Sequence, residues 1–324
     1  MVATRPSTCP GSRPSQGSGR CAAAPIDPVT AARLLRGDME LQALTPEASA
    51  RRYFRPLEAC ACGWLLARWS EPAPLAATEW MHAAGVRVPV IGPSVPGAYL
   101  VQDFGDCHLA QAPAPAHYAS VLEQSERIGA AALPSGHPNA RLSLDAELFR
   151  KELRMFREYY VQGLRRRAGA EAAALEQACA RLAQAASAGP WRVQHRDLHS
   201  RNVMLPPDGG VALIDHQDLR PGPLFYDLAS LRTDAYTDVP PAAEALLAQA
   251  ESDLAQRARL QPQPARDQYH ATALQRVLKA LGTFGRLIGA GREHYREAER
   301  RARGHALRLL RARADFAEFL PYVE

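Results

Sequence analysis

The spacing of apolar positions changes character near Asp106. Before it, apolar and aromatic residues come in short runs bounded by turn residues. Tyr53 to Arg55, Trp64 to Trp69 and Tyr99 to Phe104 therefore predict strands. One helix is predicted among them, Ala73 to Ala84, ended by Gly85, with another short apolar stretch after Pro89. An earlier helix starts at Asp27-Pro28, with Val29, Leu34 and Leu35 on one face. After Asp106 the spacing is helical. Tyr118 to Leu133 and Ala146 to Arg167 predict helices, the second with a stripe of Leu148, Phe149, Leu153, Phe156 and Tyr160. Glu171 to Ala186 predicts a third.

A strand-loop-strand unit follows. Trp191 to Gln194 leads into a polar loop, then Val203 to Leu205, a turn over Pro206-Pro207-Asp208-Gly209-Gly210, and Val211 to Ile214. Asp-Gly between two apolar runs signals a hairpin. The remainder, from Pro223, is mostly helical, broken near Pro240-Pro241 and Pro262 to Pro264. The pattern predicts an α+β chain of two lobes with a cleft between them: a small sheet-based lobe over 26–106 and a larger, mostly helical lobe over 107–324. Residues 1–25, rich in Pro, Ser, Gly and Arg, are expected to be a disordered tail.

Composition narrows the classes. The chain has 324 residues, enough for one large or two modest domains. No apolar run reaches the ~20 residues that span a bilayer, and no charged start precedes an apolar block. A cytoplasmic protein without a membrane partner is expected. The formal net charge is +5, and Lys151 and Lys279 are the only lysines. The excess of Arg, beside abundant Ala and Pro, reads as base composition of the gene. No basic run with interleaved aromatics appears, so nucleic-acid binding is not supported. The six cysteines form no metal-binding pattern, since Cys60-Ala61-Cys62 is too tight for a zinc knuckle. Reduced, partly buried thiols are expected.

The loop between predicted strands carries the chemistry. It reads His195-Arg196-Asp197-Leu198-His199-Ser200-Arg201-Asn202, and Ile214-Asp215-His216-Gln217-Asp218 follows the hairpin. Asp197 is the candidate base that accepts a hydroxyl proton. Asn202, five residues on, and Asp215, at the end of the second strand, are candidate magnesium ligands. One carboxylate, one amide and phosphate oxygens suffice for Mg²⁺. Taken singly, each residue also reads as a turn or strand cap; the combination favours phosphoryl transfer from ATP. Asp227 either caps a helix or braces the loop, and both roles are structural.

These motifs resemble the aminoglycoside phosphotransferase-like superfamily, which has the protein-kinase two-lobed fold. The loop matches its catalytic loop, Ile214-Asp215 its metal-binding aspartate, and Pro223-Leu224-Phe225-Tyr226-Asp227-Leu228 the structural motif that follows. Within it the chain looks most like the anomeric N-acetylmuramate/N-acetylglucosamine sugar kinases of bacterial cell-wall recycling. That closer likeness rests on Ala48 to Arg55, Gly85-Val86-Arg87-Val88-Pro89, Leu100 to Asp106, Asp215-His216-Gln217-Asp218 and Leu274 to Gly282. It implies a nucleotide-binding lobe over 26–106, a catalytic and substrate-binding lobe over 107–324, and a hinge at Leu100 to Asp103, including Gln102 and Asp103, that receives adenine.

Departures from a protein kinase are informative. There is no Gly-rich loop; the corresponding turn is Pro46 to Ala50, where Ser49 and backbone N–H groups are placed to meet phosphate. Neither lysine lies in the first lobe, so no strand lysine holds the phosphates. Arg68, or Arg51, Arg52 and Arg55 beside the turn, are the candidate replacements. Glu79 is a candidate partner for Arg68, or a solvated helix glutamate. His199 and His216 read as loop-packing groups, and Asp218 and His199 as candidate acceptor contacts.

Three functional readings follow. The first is a sugar kinase acting on the anomeric hydroxyl of an N-acetylated amino sugar, with ATP and Mg²⁺. The second is an aminoglycoside or other small-alcohol kinase. Arg276, Arg286, Arg292, Arg296, Arg300 and Arg301 favour a neutral or anionic acceptor over that one. The third is a nucleotide-binding pseudokinase scaffold, which the intact Asp197, Asn202 and Asp215 oppose. No obligate protein partner is evident.

Overall fold

A computed structural model of the chain describes residues 25–45, 51–167 and 172–324. The tail expected over 1–25 lies outside them but for its last residue, as does the turn Pro46 to Ala50 with Ser49. The chain begins with α1 (Pro28–Arg36), β1 (Leu41–Ala43), β2 (Arg52–Pro56), β3 (Trp64–Arg68), α2 (Leu75–Ala83), β4 (Ile91–Val95) and β5 (Ala98–Gln102). It continues with α3 (Pro115–Ala130), α4 (Ala146–Met155), a π-helix (Phe156–Leu164), α5 (Ala172–Ala186), β6 (Trp191–Gln194), β7 (Val203–Met204), β8 (Ala212–Leu213) and β9 (Arg220–Pro223). It ends with α6 (Tyr226–Arg232), α7 (Pro241–Arg257), α8 (Pro262–Gly289), α9 (Arg296–Ala312) and α10 (Leu320–Val323). Two compact units result. One holds the described residues up to Ala112 with Asn202–Gln217; the other holds Pro113–Arg201 and Asp218–Glu324. The expected antiparallel sheet and mostly helical remainder are both present. No helix among the described residues is long and apolar enough to cross a membrane.

In the sheet unit, α1 starts where expected. Asp27 accepts the Val29 and Thr30 N–H groups at 3.0 Å, and Gly37 ends the helix at φ +81°. The sheet is antiparallel throughout, in the order β1-β2-β3-β5-β4. Its register sorts side chains onto two faces. Arg52 lies opposite Arg68, and Arg68 opposite Ala98; Phe54, Leu66 and Leu100 form the next rung. This face, with Trp64, packs on α1 through Ala31 and Leu34. Tyr53, Ala67 and Tyr99 form a rung on the other face, beside Val101 and Ile91.

The hairpin β7–β8 turns through Gly209 (φ +95°) and Gly210 (φ +71°). Arg87 clasps it: its carbonyl accepts the Leu213 N–H at 2.8 Å, and its guanidinium forks onto both Asp208 oxygens at 2.7 Å.

In the helical unit, α8 is the spine of the core, through Leu274, Val277, Leu278, Leu281 and Phe284. Prolines open α7 and α8, as the breaks at Pro240-Pro241 and Pro262 require. The single helix expected over Ala146 to Arg167 is corrected: α4 stops at Met155 and the chain continues as a π-helix. The two backbones here nearly touch. A Cβ on Gly282 of α8 would sit 2.5 Å from the Phe156 nitrogen, and one on Gly285 2.6 Å from the Tyr159 oxygen. Only glycine permits that approach.

Cys60, Cys62 and Cys179 are free thiols. Cys107 is disulfide-bonded, which departs from the expectation of reduced thiols.

Candidate active site

In the sheet unit, Asn202 and Asp215 flank the same end of the hairpin. The Ile214 N–H donates to the Asn202 carbonyl at 3.0 Å, one position before Asp215. Asp215 has φ +63°, a left-handed conformation that costs a non-glycine residue energy and recurs at functional sites. Its Oδ1 accepts from Gln217 Nε2 at 2.8 Å. Gln217 Oε1 in turn lies 3.5 Å from Arg51 Nη1, which also donates to Tyr53 OH at 3.0 Å. The Arg51 guanidinium stacks on Trp69, 3.9 Å from the ring centroid. Burial works against its charge, but Tyr53 and Asp215 outweigh this and raise its pKa. Arg51 is thus a buried cation coupled to Asp215.

The other candidate cations are placed differently. Arg52 and Arg68 belong to the face that packs on α1. Arg68 lies over Phe54 and forms no ion pair with Glu79, which leaves the other reading of Glu79, a solvated helix glutamate. Glu79 is exposed on α2. Its neighbour Thr78 points inward instead and meets His216 Nε2 at 2.8 Å. Helical geometry decides this: with Ala77, Thr78 and Met81 buried, Glu79 faces away. Arg55 is taken up by two carboxylates, Asp103 Oδ1 at 2.9 Å and Asp106 Oδ1 at 2.8 Å. Asp103 Oδ1 also accepts the Gly105 N–H at 2.8 Å. Gln102 Oε1 accepts the Val90 N–H at 3.2 Å, while the backbone N–H groups of Gln102 and Asp103 donate to Val90 and Gly63 carbonyls.

No group of three or more His, Cys, Asp or Glu side chains able to hold a metal occurs among the described residues. Asn202 and Asp215, whose backbones meet at the end of the hairpin, carry an amide and a carboxylate, hard oxygen donors of the kind magnesium takes when phosphate oxygens and waters complete its shell. The donor set fits that ion.

In the helical unit, the loop before Asp197 is held by Asp227. Its Oδ2 accepts the His195 N–H at 2.6 Å and its Oδ1 the Arg196 N–H at 3.0 Å. Of the two structural roles open to Asp227, it takes the brace. Arg196 has φ +81°. Asp234, buried just past the end of α6, accepts the Ser200 N–H at 2.6 Å. Sequence reading passed over Asp234.

Asp197 itself sits among cations. Its Oδ1 accepts from Lys279 Nζ at 3.2 Å and lies 3.7 Å from Arg276 Nη2. Burial favours its neutral form, but Lys279, Arg276 and Arg196 together hold its carboxyl well below the usual carboxylate range. Lys279 Nζ also lies 3.6 Å from Glu152 Oε1 and 3.5 Å from Tyr226 OH. Glu152, only 6% exposed at its side chain, accepts from Gln275 Nε2 at 2.9 Å. Asp218 is 43% exposed and bridges Arg196 at 3.0 Å and Arg220 at 2.8 Å. The cluster therefore has Arg196, Arg220, Arg276 and Lys279 against Glu152, Asp197 and Asp218.

His199 stacks obliquely against Tyr236, with ring centroids 5.0 Å apart. Burial, then Arg276, lower its pKa to about 3, so it is neutral near pH 7. Of the six arginines expected to favour an anionic acceptor, Arg276 reaches Asp197, whereas Arg296, Arg300 and Arg301 are paired with Glu293, Glu297 and Asp238 or Glu297.

Lys279, Glu152 and Gln217 were missed by sequence reading. Two signals were present: Lys279 is one of two lysines in an Arg-rich chain, and Glu152 interrupts the Phe149-Leu153-Phe156 stripe with a carboxylate.

A family model described as the phosphotransferase enzyme family matches residues 40–263, and the chain belongs to that family. A curated relative, the N-acetylmuramate/N-acetylglucosamine kinase of Pseudomonas putida, is 33% identical over 159 residues; the match covers 45% of this chain and 44% of that protein's length. Among solved structures, a choline kinase from Cryptosporidium parvum superposes with a TM-score of 0.55 at 10% identity, over 86% of this chain and 90% of that one. A thermostable mutant of an aminoglycoside phosphotransferase, in ternary complex with ADP and hygromycin B, superposes with a TM-score of 0.52 at 16% identity, over 85% and 94%. At these identities the structural likeness establishes the protein-kinase-like fold.

Proposed function

We propose that this chain transfers the γ-phosphoryl group of ATP to a sugar hydroxyl, specifically the anomeric hydroxyl of N-acetylmuramate or N-acetylglucosamine. Asp197 takes the hydroxyl proton as the oxygen attacks phosphorus; the bond to the bridging oxygen breaks and ADP leaves. Residues 26–106 serve the nucleotide and 107–324 the chemistry and the acceptor, with Asn202–Gln217 carrying both metal-ligand candidates into the sheet unit. Asn202 and Asp215 would hold Mg²⁺, which supplies neutralisation of triphosphate charge when bound. Arg51, set on the sheet face that carries Tyr53 and coupled to Asp215, is the best candidate for the missing lysine. ATP as donor fits a cytoplasmic enzyme with small-molecule partners.

The observation that carries this reading is Asp197, kept ionised by Lys279, Arg276 and Arg196 on a loop braced by Asp227. Positioning and electrostatics are most of what phosphoryl transfer needs. The amino-sugar acceptor is supported by the likeness to the Pseudomonas putida enzyme. It is also supported by the three cations, Lys279, Arg276 and Arg196, that act on the Asp197 carboxylate. Such a grouping disfavours a polycationic aminoglycoside at that carboxylate and tolerates a neutral or carboxylate-bearing sugar.

The test is ATP depletion with Mg²⁺ and a panel of N-acetylmuramic acid, N-acetylglucosamine, plain hexoses and an aminoglycoside. Turnover with the N-acetylated sugars is expected, lost in Asp197→Asn while nucleotide binding persists. Preference for the aminoglycoside would overturn the acceptor assignment. Mg-ATP binding without turnover on any acceptor would favour the scaffold.

A further inference from the structure

Lys279 projects from the middle of α8 into the charged cluster. Its ammonium touches the Asp197 carboxylate at 3.2 Å, the Tyr226 hydroxyl at 3.5 Å and Glu152 at 3.6 Å. The side chain is 14% exposed, so these groups replace most of its water. Nearly every other cation of the chain is an arginine. At this position a guanidinium already lies alongside, 3.7 Å from the same carboxylate oxygen.

We propose that Lys279 is a positioning residue of the transfer reaction, one that orients the Asp197 carboxylate and keeps it free of its proton. This rests on Asp197 being the base. Its carboxylate can accept a hydroxyl proton only while ionised, and only from a fixed rotamer. Lys279 supplies both conditions from outside the loop. It is itself held by Glu152, whose other oxygen is fixed by Gln275, one turn before Lys279 on the same helix. The close packing of α8 on the π-helix at Gly282 sets the distance between α4 and α8 that this bridge spans.

Charged and titratable groups from several elements bear on Asp197. Arg276 and Lys279 come from α8, Arg196 and His199 from its own loop, Tyr226 from α6, and Glu152 from α4 through Lys279. Removing Lys279 takes away the largest of the opposing charges and moves the Asp197 pKa upward. Arg276 and Arg196 remain beside the carboxylate but reach it from other directions. The signature is therefore a lowered kcat with nucleotide affinity kept, recovered by a cation restored at position 279.

The experiment compares wild type, Lys279→Met and Lys279→Arg, following both transfer to acceptor and the slow transfer of the γ-phosphoryl group to water, which needs no identified acceptor. For Lys279→Met, kcat is expected to fall about tenfold or more. The Mg-ATP Kd should stay within about twofold, a split between turnover and binding that marks positioning. Lys279→Arg, which keeps a cation beside Asp197, should recover most of the lost kcat. Should Lys279→Met fail to fold with Glu152 left uncompensated, the Glu152→Gln/Lys279→Met pair restores the charge balance and carries the same readouts. Wild-type kcat in Lys279→Met overturns the inference, as does a loss of kcat that Lys279→Arg does not recover. Absence of any ATP turnover by the wild type would overturn the reading of Asp197 as a base, and this inference with it.

Discussion

Asp227 holds the backbone of Arg196: its Oδ1 accepts the Arg196 N–H at 3.0 Å while that residue sits at φ +81°. The same carboxylate fixes His195, so one buried acid pins the two residues before Asp197. Without it the left-handed turn loses the two backbone hydrogen bonds that oppose its relaxation.

Asp227→Asn should accordingly lower kcat by at least about tenfold with a smaller change in Mg-ATP affinity. The amide keeps one acceptor but presents N–H to the other N–H. The lost charge-assisted bonds should cost about 1–3 kcal/mol, read by urea unfolding. A variant with wild-type kcat and stability would show the brace to be dispensable.

Gly282→Ala tests the contact that sets α8 against the π-helix. The new Cβ would lie 2.5 Å from the Phe156 nitrogen and 2.8 Å from the Met155 carbonyl carbon, both backbone atoms that cannot swing away. Destabilisation of about 1–3 kcal/mol is expected, with loss of turnover as Glu152 and Lys279 move apart. Unchanged thermal unfolding would mean that the helices part at no cost.

Much of this arrangement was legible beforehand. Short apolar runs bounded by turn residues marked the strands, and Asp208-Gly209 marked the hairpin. The loop from His195 to Asn202 and Asp215 stood out because spacing along the chain is itself the signal. What could not be read were side chains that reach the site from distant elements. Lys279 meets Asp197 across 82 positions of chain, and Thr78 meets His216 across 138. Local patterns contain no information on such pairs. The π-helix was hidden for the same reason: Phe156 and Tyr160 fit a helical stripe, and the glycines opposite lie on another helix.

Acid should destabilise the helical unit through histidines held neutral. His305 donates from Nε2 to the Asp234 carbonyl at 3.1 Å, because its Nδ1 accepts from Arg308 at 2.5 Å. Burial first, then Arg308, depress its pKa to about 4, and burial depresses that of His199 to about 3. An unfolded histidine titrates near ~6.5, so between that value and the folded one the unfolded chain binds more protons. This contribution to stability is complete above the unfolded pKa and is lost as pH falls towards the folded one. Urea unfolding should therefore show a lower midpoint at pH ~5 than at pH ~7, and His305→Gln should flatten that dependence. An unchanged pH dependence in the variant would remove His305 from the account.

Arg51 and Arg68 offer a test of which sheet face serves the nucleotide. Both are arginines on neighbouring stretches of the small sheet, and sequence gave no reason to prefer either. Alternation along the strands separates them: Arg68 lies in the rung with Arg52 and Ala98 towards α1, whereas Arg51 lies on the side of Tyr53 and Tyr99. Arg51 is also tied through Gln217 to Asp215, so its charge and the metal-ligand candidate belong to one hydrogen-bonded set. Stacking on Trp69 restrains its guanidinium. Arg51→Met should weaken Mg-ATP binding about tenfold, the scale of one charge-assisted contact, while Arg68→Met should stay within about twofold of wild type. Calorimetric titration of each variant with Mg-ATP measures both. A larger loss in Arg68→Met would place the triphosphate on the α1 face and break the link between Arg51 and Asp215 as a nucleotide site.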